Sequence, residues 1–237
     1  MIAVQDSAAQ SPTAQPSPEV VALFPPGVVA AELHGGADAA ALHADELLDC
    51  AGFGVRRLAD FAAGRCCARR ALRELGWADA PLRRGADRRP LWPRGAIGSI
   101  SHTSGFCAAV VAPNDAFRSI GLDVELAGRA GDDLWPTLFT PGEAAALDAL
   151  PQGLRRAAAS VAFSAKEAYY KCQFGVTGAW LDFSDVEIVL ENGIAERGAF
   201  RVDAARPLPG STRGSVRGRY AFAGDFVMAG VALGKAW

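Results

Sequence analysis

The stretch Ser119-Ile120-Gly121-Leu122-Asp123-Val124-Glu125-Leu126 alternates polar or small residues with apolar ones. This alternation is typical of a β-strand with one buried face. We therefore predict a strand over 119–126 that directs Asp123 and Glu125 to the same side. Two carboxylates one strand repeat apart can converge on a hard cation such as Mg²⁺. The alternative is a polar face turned to water, which is common in antiparallel sheets.

The sequence around this strand predicts a mixture of helices and antiparallel strands. Thr140-Pro141-Gly142-Glu143 forms a capping box that opens a helix to about residue 150, and Gly224-Asp225 is a hairpin signal. Further helices are predicted over 38–50, 55–75 and 157–174, and further strands over 96–101, 106–111, 185–190, 198–202, 215–221 and 226–233. This mixture predicts an α+β fold. The polar segment 1–18 has little to bury and is predicted to be a disordered tail.

Composition excludes several classes of protein. Half of the 237 residues are hydrophobic, which suffices for a core, and the net charge of −2 argues against a polybasic nucleic-acid binder. The chain contains no run of 18 apolar residues, so no membrane-spanning helix is predicted. The five cysteines are odd in number and include no CxxC, so they form neither a disulfide framework nor a zinc site. Since the N-terminus also lacks the basic residues of a secretory signal, we predict a cytoplasmic protein.

Positive charge is concentrated in one part of the chain. Residues 56–94 hold eleven arginines and only four acidic residues, which predicts an anionic ligand. In the predicted helix over 55–75, Arg65 lies beside the centre of the apolar stripe and Arg57 at its edge, whereas Arg69 and Arg73 lie farther towards solvent. An inward guanidinium requires an anionic partner, and a structural ion pair is the alternative to a ligand.

The predicted helix over 157–174 places a charged pair among aromatic residues. Phe163, Tyr170 and Phe174 are predicted to mark its buried face, with Glu167 among them and Lys171 one turn later. The alternative is an ordinary surface pair at i,i+4. Lysine is scarce, however, since the chain has only three, and two of them fall in this helix.

Together these patterns predict a site for a phosphorylated ligand. Asp123, Glu125 and Glu167 are three carboxylates that suit one Mg²⁺ ion, and Lys171 with the arginines suits further phosphate groups. The chain has no Walker A sequence and no dinucleotide-binding Gly-x-Gly-x-x-Gly, so neither a P-loop nor a Rossmann crevice is predicted.

Four linked motifs resemble the 4′-phosphopantetheinyl transferases of the surfactin- and enterobactin-synthase type. In chain order they are Phe61-Ala62-Ala63-Gly64-Arg65-Cys66-Cys67-Ala68-Arg69, Pro90-Leu91-Trp92-Pro93 with Gly98-Ser99-Ile100-Ser101-His102, Ser119-Ile120-Gly121-Leu122-Asp123-Val124-Glu125, and Phe163-Ser164-Ala165-Lys166-Glu167-Ala168-Tyr169-Tyr170-Lys171. The resemblance implies two similar α/β halves packed side by side, with coenzyme A in the crevice between them. The halves would be residues 19–117 and 118–237.

The resemblance also implies roles for single residues. The metal ligands would be Asp123, Glu125 and Glu167, and the catalytic residues Glu167, Lys171 and His102. The residues that contact coenzyme A would be Arg57, Arg65, Arg84, Arg88, Ser101, His102, Asp123, Glu167 and Lys171. Glu143 matches a further acidic position of the surfactin type.

The implied reaction moves phosphopantetheine from coenzyme A to a serine of an apo acyl, peptidyl or aryl carrier protein. Adenosine 3′,5′-bisphosphate is the other product. Mg²⁺, or Mn²⁺ in its place, would neutralise the pyrophosphate, and Lys171 would stabilise the developing negative charge. The base would be Glu167 or a metal-bound water. We expect a monomer that uses neither nucleic acid nor membrane.

Two other functions remain compatible with these residues. One is a different Mg²⁺-dependent phosphotransferase that acts on nucleotides, and the other is a non-catalytic coenzyme A-binding or carrier-docking protein. The loop 175–181 bears on the carrier. It follows the helix that holds Glu167, and its glycines with Trp180 and Leu181 predict a docking surface. Alternatively, Trp180 covers the core.

Overall fold

The N-terminal half is a four-stranded antiparallel sheet covered by one long helix. The computed structural model describes residues 13–209, 214 and 216–235. The elements of this half are β1 (Gln15–Pro16), α1 (Pro18–Val21), β2 (Val29–His34), α2 (Ala44–Leu47), α3 (Val55–Glu74), β3 (Ala96–Thr103) and β4 (Phe106–Pro113). The strand order is β1-β2-β4-β3, and α3 packs on β2, β3 and β4.

The C-terminal half repeats this arrangement with a second sheet and a second long helix. Its elements are β5 (Phe117–Leu126), α4 (Trp135–Leu138), α5 (Pro141–Asp148), α6 (Gln152–Thr177), β6 (Val186–Glu191), β7 (Arg197–Ala204), β8 (Val216–Ala223) and β9 (Phe226–Gly234). The strand order is β5-β9-β8-β7-β6, and α6 packs mainly on β5 and β9. The predicted α+β class is therefore confirmed.

A shared apolar core joins the two sheets. It contains Phe106 and Val110 from the first sheet and Leu122 and Val124 from the second. Because strand residues alternate between faces, Asp123 is directed away from this core, towards α6. The predicted alternation of β5 is confirmed, but its carboxylate face is not turned to water, since only 3% of Asp123 is exposed.

Strands β3 and β5 meet at a seam between the two halves. Each is the end strand of its own sheet. Two serine side chains of β3 bond the backbone of β5 across the seam: the Leu122 N–H donates to Ser99 Oγ at 3.1 Å, and the Val124 N–H donates to Ser101 Oγ at 3.1 Å. The seam therefore fixes the register of the N-terminal half against the strand that carries Asp123.

Local sequence signals are confirmed at several elements. The Thr140 hydroxyl accepts from the Glu143 N–H while the Glu143 carboxylate accepts from the Thr140 N–H, which is the predicted capping box. Strands β8 and β9 pair antiparallel across Gly224-Asp225. Helix α6 differs from the prediction at both ends: it starts five residues earlier, and it ends at Thr177, so the first three residues of the predicted loop 175–181 are helical. The next residue, Gly178, adopts a left-handed conformation.

Two of the predicted segments require correction. Residues 13–18 are not part of a tail: Gln15-Pro16 pairs with β2, and the buried Ser17 accepts from the Val20 N–H and donates to Glu32. Residues 1–12 of that predicted tail, and residue 215 of a predicted strand, lie outside the described residues. The helix predicted over 38–50 is two 3₁₀ turns around the four-residue α2, because Asp38 bonds the Ala40 N–H and so caps a separate turn.

The structure bears on two features that the sequence argued against, disulfide bonds and membrane-spanning helices. All five cysteines are free thiols. Within the described ranges, no helix combines the length and the apolar character that a membrane crossing requires. The domain boundary at 117/118 falls at the start of β5 and stays a prediction, as does the cytoplasmic location.

Candidate active site

The centre of the site is an ion pair between buried Asp123 on β5 and half-buried Lys171 on α6. Lys171 Nζ donates to Asp123 Oδ1 at 2.7 Å, to Ser101 Oγ at 3.0 Å and to the Leu122 carbonyl at 3.1 Å. The Ser101 hydroxyl donates to the same carboxylate oxygen at 3.0 Å. Three predicted site residues, from both halves, therefore meet at one point.

Two further carboxylates interact electrostatically with both members of this pair. Burial raises the pKa of Glu125 to about 7, and the negative charge of Asp123 adds to the increase. Burial also raises the pKa of Glu167, with Asp123 again raising it and Lys171 opposing the change. Such crowding of like charge is unfavourable without a cation. The surroundings of Asp123, Glu125 and Glu167 thus favour a bound positive charge.

The donor set fits a divalent metal in its chemistry. Within the described part of the chain, Asp123 Oδ2 is buried and has no hydrogen-bond partner, so it is an oxygen available to a cation. Carboxylate oxygens are the ligands that Mg²⁺ prefers. In the same described residues, no three His, Cys, Asp or Glu side chains are grouped closely enough to hold a metal in their present positions. The other oxygen of Asp123, Oδ1, is bound by the ammonium group of Lys171.

A cleft of about 780 Å³ runs along the seam between the halves. A volume of this size is typical of a small-molecule site. Its wall from the N-terminal half includes Arg88 and Trp92, and its wall from the C-terminal half includes Lys171 and Phe174. The structure therefore provides a crevice where the resemblance implied one, with basic side chains in its walls.

The other predicted phosphate-binding arginines gather around an aromatic pair. The Arg57 guanidinium lies 4.2 Å from the Phe53 ring centroid, that of Arg84 lies 5.9 Å from the same centroid, and that of Arg65 lies 4.0 Å from the Phe61 centroid. Arg57 is exposed, whereas Arg65 is buried and its Nε donates to the Leu82 carbonyl at 2.6 Å. Burial lowers the pKa of Arg65 to about 10. Contact of these arginines with phosphate stays a prediction.

The acidic residues that pair with the arginines of this region were not predicted from the sequence. Glu46 is fully buried and accepts from Arg69 and from the Leu82 N–H, the latter at 2.8 Å. Asp49 accepts from Arg83 and from the Arg84 N–H at 2.7 Å. The prediction that Arg69 faces solvent is therefore wrong, because the segment around α2 covers that side of α3. The local excess of arginine was the signal that buried counter-ions were needed.

Lys166 and Glu143 form a fully buried ion pair on the other side of α6. Lys166 Nζ lies 2.6 Å from Glu143 Oε2 and also donates to the carbonyls of Leu138 and Phe183. Glu143 Oε1 accepts from the Ile188 N–H at 2.7 Å. Both side chains thus anchor α6 to its neighbours. Glu143 is engaged in this pair and in its capping box, and Lys171 alone of the two helix lysines reaches Asp123.

Phe163, Tyr170 and Phe174 do not mark the most buried face of α6. These three side chains are half-buried, whereas the alanines and Cys172 that pack on β5 are fully buried. The prediction is wrong because close packing on β5 selects small side chains. Phe174 lines the large cleft, and Tyr170 lines both this cleft and a smaller cavity of about 230 Å³ that includes Glu167. Phe163 packs at the edge of the C-terminal core.

Trp180 stands between these two openings and is 71% exposed. Its ring meets that of Tyr170 edge to face at 5.4 Å, and its Nε1 donates to Asp182. Trp180 therefore does not cover the core, so that alternative is wrong.

His102 lies on β3 next to Ser101 but points to the other face and is exposed. Partial desolvation lowers the pKa of His102; Lys171 lowers it too, whereas Asp60 and Asp123 oppose this change. The ring thus lies within electrostatic reach of Asp123 and Lys171.

Comparisons with known proteins cover most of the chain. The family model of the 4′-phosphopantetheinyl transferase N-terminal domain matches residues 45–112, and that of the 4′-phosphopantetheinyl transferase superfamily matches residues 119–220. The 4′-phosphopantetheinyl transferase Npt of Nocardia iowensis is 33% identical over 218 residues, which cover 89% of this chain and 97% of Npt. Enterobactin synthase component D of Salmonella typhimurium is 39% identical over 122 residues, covering 50% of this chain and 49% of the relative. Among solved structures, the holo-[acyl-carrier-protein] synthase of Thermotoga maritima is 21% identical, with a TM-score of 0.40 over 51% of this chain and 65% of that one.

Proposed function

The chain belongs to the 4′-phosphopantetheinyl transferase superfamily, and from this we propose that it transfers the 4′-phosphopantetheine group of coenzyme A to a serine hydroxyl of an apo carrier protein. The observation that supports the proposal is the ion pair at the seam between buried Asp123 and half-buried Lys171, which is electrostatically coupled to Glu125 and Glu167. Lys171 lies in the wall of the cleft. The carboxylates of this group would bind a cation, and Lys171 would bind phosphate.

The residues divide the work according to their charge. Asp123, Glu125 and Glu167 would hold Mg²⁺ or Mn²⁺, which when bound supplies positive charge that stabilises a phosphate leaving group. Lys171 carries a positive charge at the wall of the cleft, where it would bind the same phosphates. Glu167, whose pKa is raised by burial, would accept a proton from the carrier serine. Arg57 and Arg65 would bind the 3′-phosphate end, and Arg84 or Arg88 would supply a further basic contact.

Intact-protein mass spectrometry tests this function directly. Apo acyl, peptidyl and aryl carrier proteins are incubated with the enzyme, coenzyme A and Mg²⁺, and we expect at least one of them to gain the mass of one phosphopantetheine group. Excess chelator should stop the gain and added Mg²⁺ or Mn²⁺ restore it. A full mass gain in chelator would contradict the metal requirement, and no gain on any carrier would contradict the function.

Trp180 is expected to contribute to carrier binding. It is an exposed aromatic side chain beside the opening that includes Glu167, and exposed aromatics at such positions are typical binding residues. We predict that Trp180→Ala raises the KM for the carrier about tenfold or more, in line with a loss of about 1.4 kcal/mol or more. The KM for coenzyme A and the melting temperature should stay close to the parent's.

A matched control separates this effect from loss of exposed apolar surface. Leu48, in the N-terminal half, is 67% exposed, so Leu48→Ala removes a comparably exposed apolar side chain elsewhere. We expect no change in the carrier KM for this variant. An unchanged carrier KM in Trp180→Ala, or a large fall in its melting temperature, would contradict the docking role.

A further inference from the structure

Ser101 is the junction where the two halves meet the charged pair. It lies on β3, in the N-terminal half, and is 4% exposed. Its hydroxyl oxygen accepts from the Val124 N–H at 3.1 Å and from Lys171 Nζ at 3.0 Å, while its proton is directed at Asp123 Oδ1 at 3.0 Å.

These three bonds use the full capacity of a hydroxyl group. A serine has one proton to donate and two lone pairs to accept with, and all three are engaged with protein atoms. A phosphate oxygen could bind Ser101 only by displacing Asp123 as the acceptor. The hydroxyl is therefore bonded to both charged side chains, and the contact with coenzyme A that the resemblance implied for Ser101 stays a prediction.

The bonds do constrain Asp123 and Lys171. Without Ser101, the carboxylate would keep Lys171 as its only described partner, and it could rotate about its own side-chain bonds. With Ser101, Oδ1 is held from two directions, and Oδ2 is left as the oxygen without a partner. The serine thus determines which carboxylate oxygen is available and where the ammonium lies.

We propose that Ser101 is a positioning residue: its hydroxyl, supplied by the N-terminal half, sets the Asp123 carboxylate and the Lys171 ammonium of the C-terminal half in register for the transfer reaction. This inference rests on the proposed function. It also assigns the seam a role in the chemistry, since β3 and β5 must keep their relative position for the three groups to meet.

Ser99 provides a matched control two residues earlier on the same strand. It makes the equivalent seam bonds, accepting from the Leu122 N–H at 3.1 Å and lying 3.5 Å from the Leu122 carbonyl oxygen, and it is equally buried. The bonds of Ser99 do not include Asp123 or Lys171. Ser99→Ala and Ser101→Ala therefore each leave one N–H group of β5 without its partner, and only the second removes the bonds to the charged pair.

The test compares the two variants in kinetics and in metal binding. Ser101→Ala is expected to lower kcat about tenfold or more, with the KM for coenzyme A within about twofold of the parent's. Loss of a residue that orients a metal ligand typically lowers the affinity for the metal 10–100-fold. The Mn²⁺ concentration that half-saturates the rise in melting temperature should therefore increase by about that factor in Ser101→Ala. Both variants should show a similar fall in melting temperature, because each leaves one N–H group of β5 without its partner. Ser99→Ala should keep the parental kcat and the parental Mn²⁺ midpoint.

Three results would overturn the inference. A raised KM for coenzyme A with unchanged kcat would make Ser101 a substrate contact. Equal kcat and Mn²⁺ midpoints in the two variants would make it a seam residue only. An unshifted Mn²⁺ midpoint in Ser101→Ala would show that Ser101 does not position Asp123 for the metal. If Ser101→Ala does not fold, Ser101→Cys keeps the volume but bonds weakly, and should show the same loss of kcat in milder form. Absence of transfer by the parent would contradict the proposed function, while the Mn²⁺ midpoints would still test Ser101.

Discussion

Asp123→Asn is expected to lower carrier modification by about a thousandfold while leaving the fold intact. The substitution keeps the shape of the side chain but removes the charge that faces Lys171, Glu125 and Glu167. Removing one group that stabilises developing charge typically costs 10²–10³ in rate, and here the same change also removes a metal ligand. Initial rates of carrier modification at saturating coenzyme A and Mg²⁺ measure the effect.

Stability should respond differently from activity. The amide relieves the repulsion among three neighbouring carboxylates, and Lys171 keeps its bonds to Ser101 and the Leu122 carbonyl. The melting temperature without metal should therefore fall by a few degrees at most. In the parent, metal at a hundred times its dissociation constant should add about 2.7 kcal/mol of stability, and Asp123→Asn should lose this gain.

The control is the exposed Asp132, which lies 3.8 Å from Arg156 on the surface. Asp132→Asn should match the parent in rate and in metal response. Parental activity in Asp123→Asn, or a parental rise of its melting temperature with Mn²⁺, would show that Asp123 is not part of the metal site.

The parts of the site that follow a local pattern could be predicted from the sequence. The alternation over 119–126 places Asp123 on the face towards α6, and helical spacing places Lys171 one turn beyond Glu167. Both relations depend only on backbone geometry. The capping box at Thr140 is local in the same way, since donor and acceptor are three residues apart.

What could not be predicted depends on partners distant in sequence. Glu46 and Arg69 are 23 residues apart, and the helix pattern alone left Arg69 on the solvent side because it does not show which segment covers the helix. Ser101 and Asp123 are 22 residues apart and lie in different sheets. The same reasoning explains Tyr170 and Phe174 of α6, because hydrophobicity alone does not distinguish a packed face from the wall of a cleft.

Gly121→Ala is expected to destabilise the protein strongly and to abolish transfer. A Cβ at this position would overlap the Ala168 carbonyl oxygen and lie 2.7 Å from the Cys172 nitrogen, both in the backbone of α6. Overpacking typically costs 1–3 kcal/mol and occasionally more. A backbone obstacle cannot be relieved by a side-chain rotation, so we expect about 3 kcal/mol or more. For a chain of this size, that corresponds to a fall of about 6–12 °C in melting temperature.

The loss of activity follows from where the obstacle lies. Gly121 permits α6 to rest directly on β5, and this contact brings Lys171 within 2.7 Å of Asp123. If α6 is displaced from β5, the pair separates even in molecules that remain folded. Gly153→Ala, near the exposed start of α6, is the control: nothing lies within 4 Å of its Cβ position, and alanine favours a helix, so stability and transfer should be at least parental. Parental melting temperature and rate in Gly121→Ala would show that the contact between α6 and β5 does not hold the charged pair together.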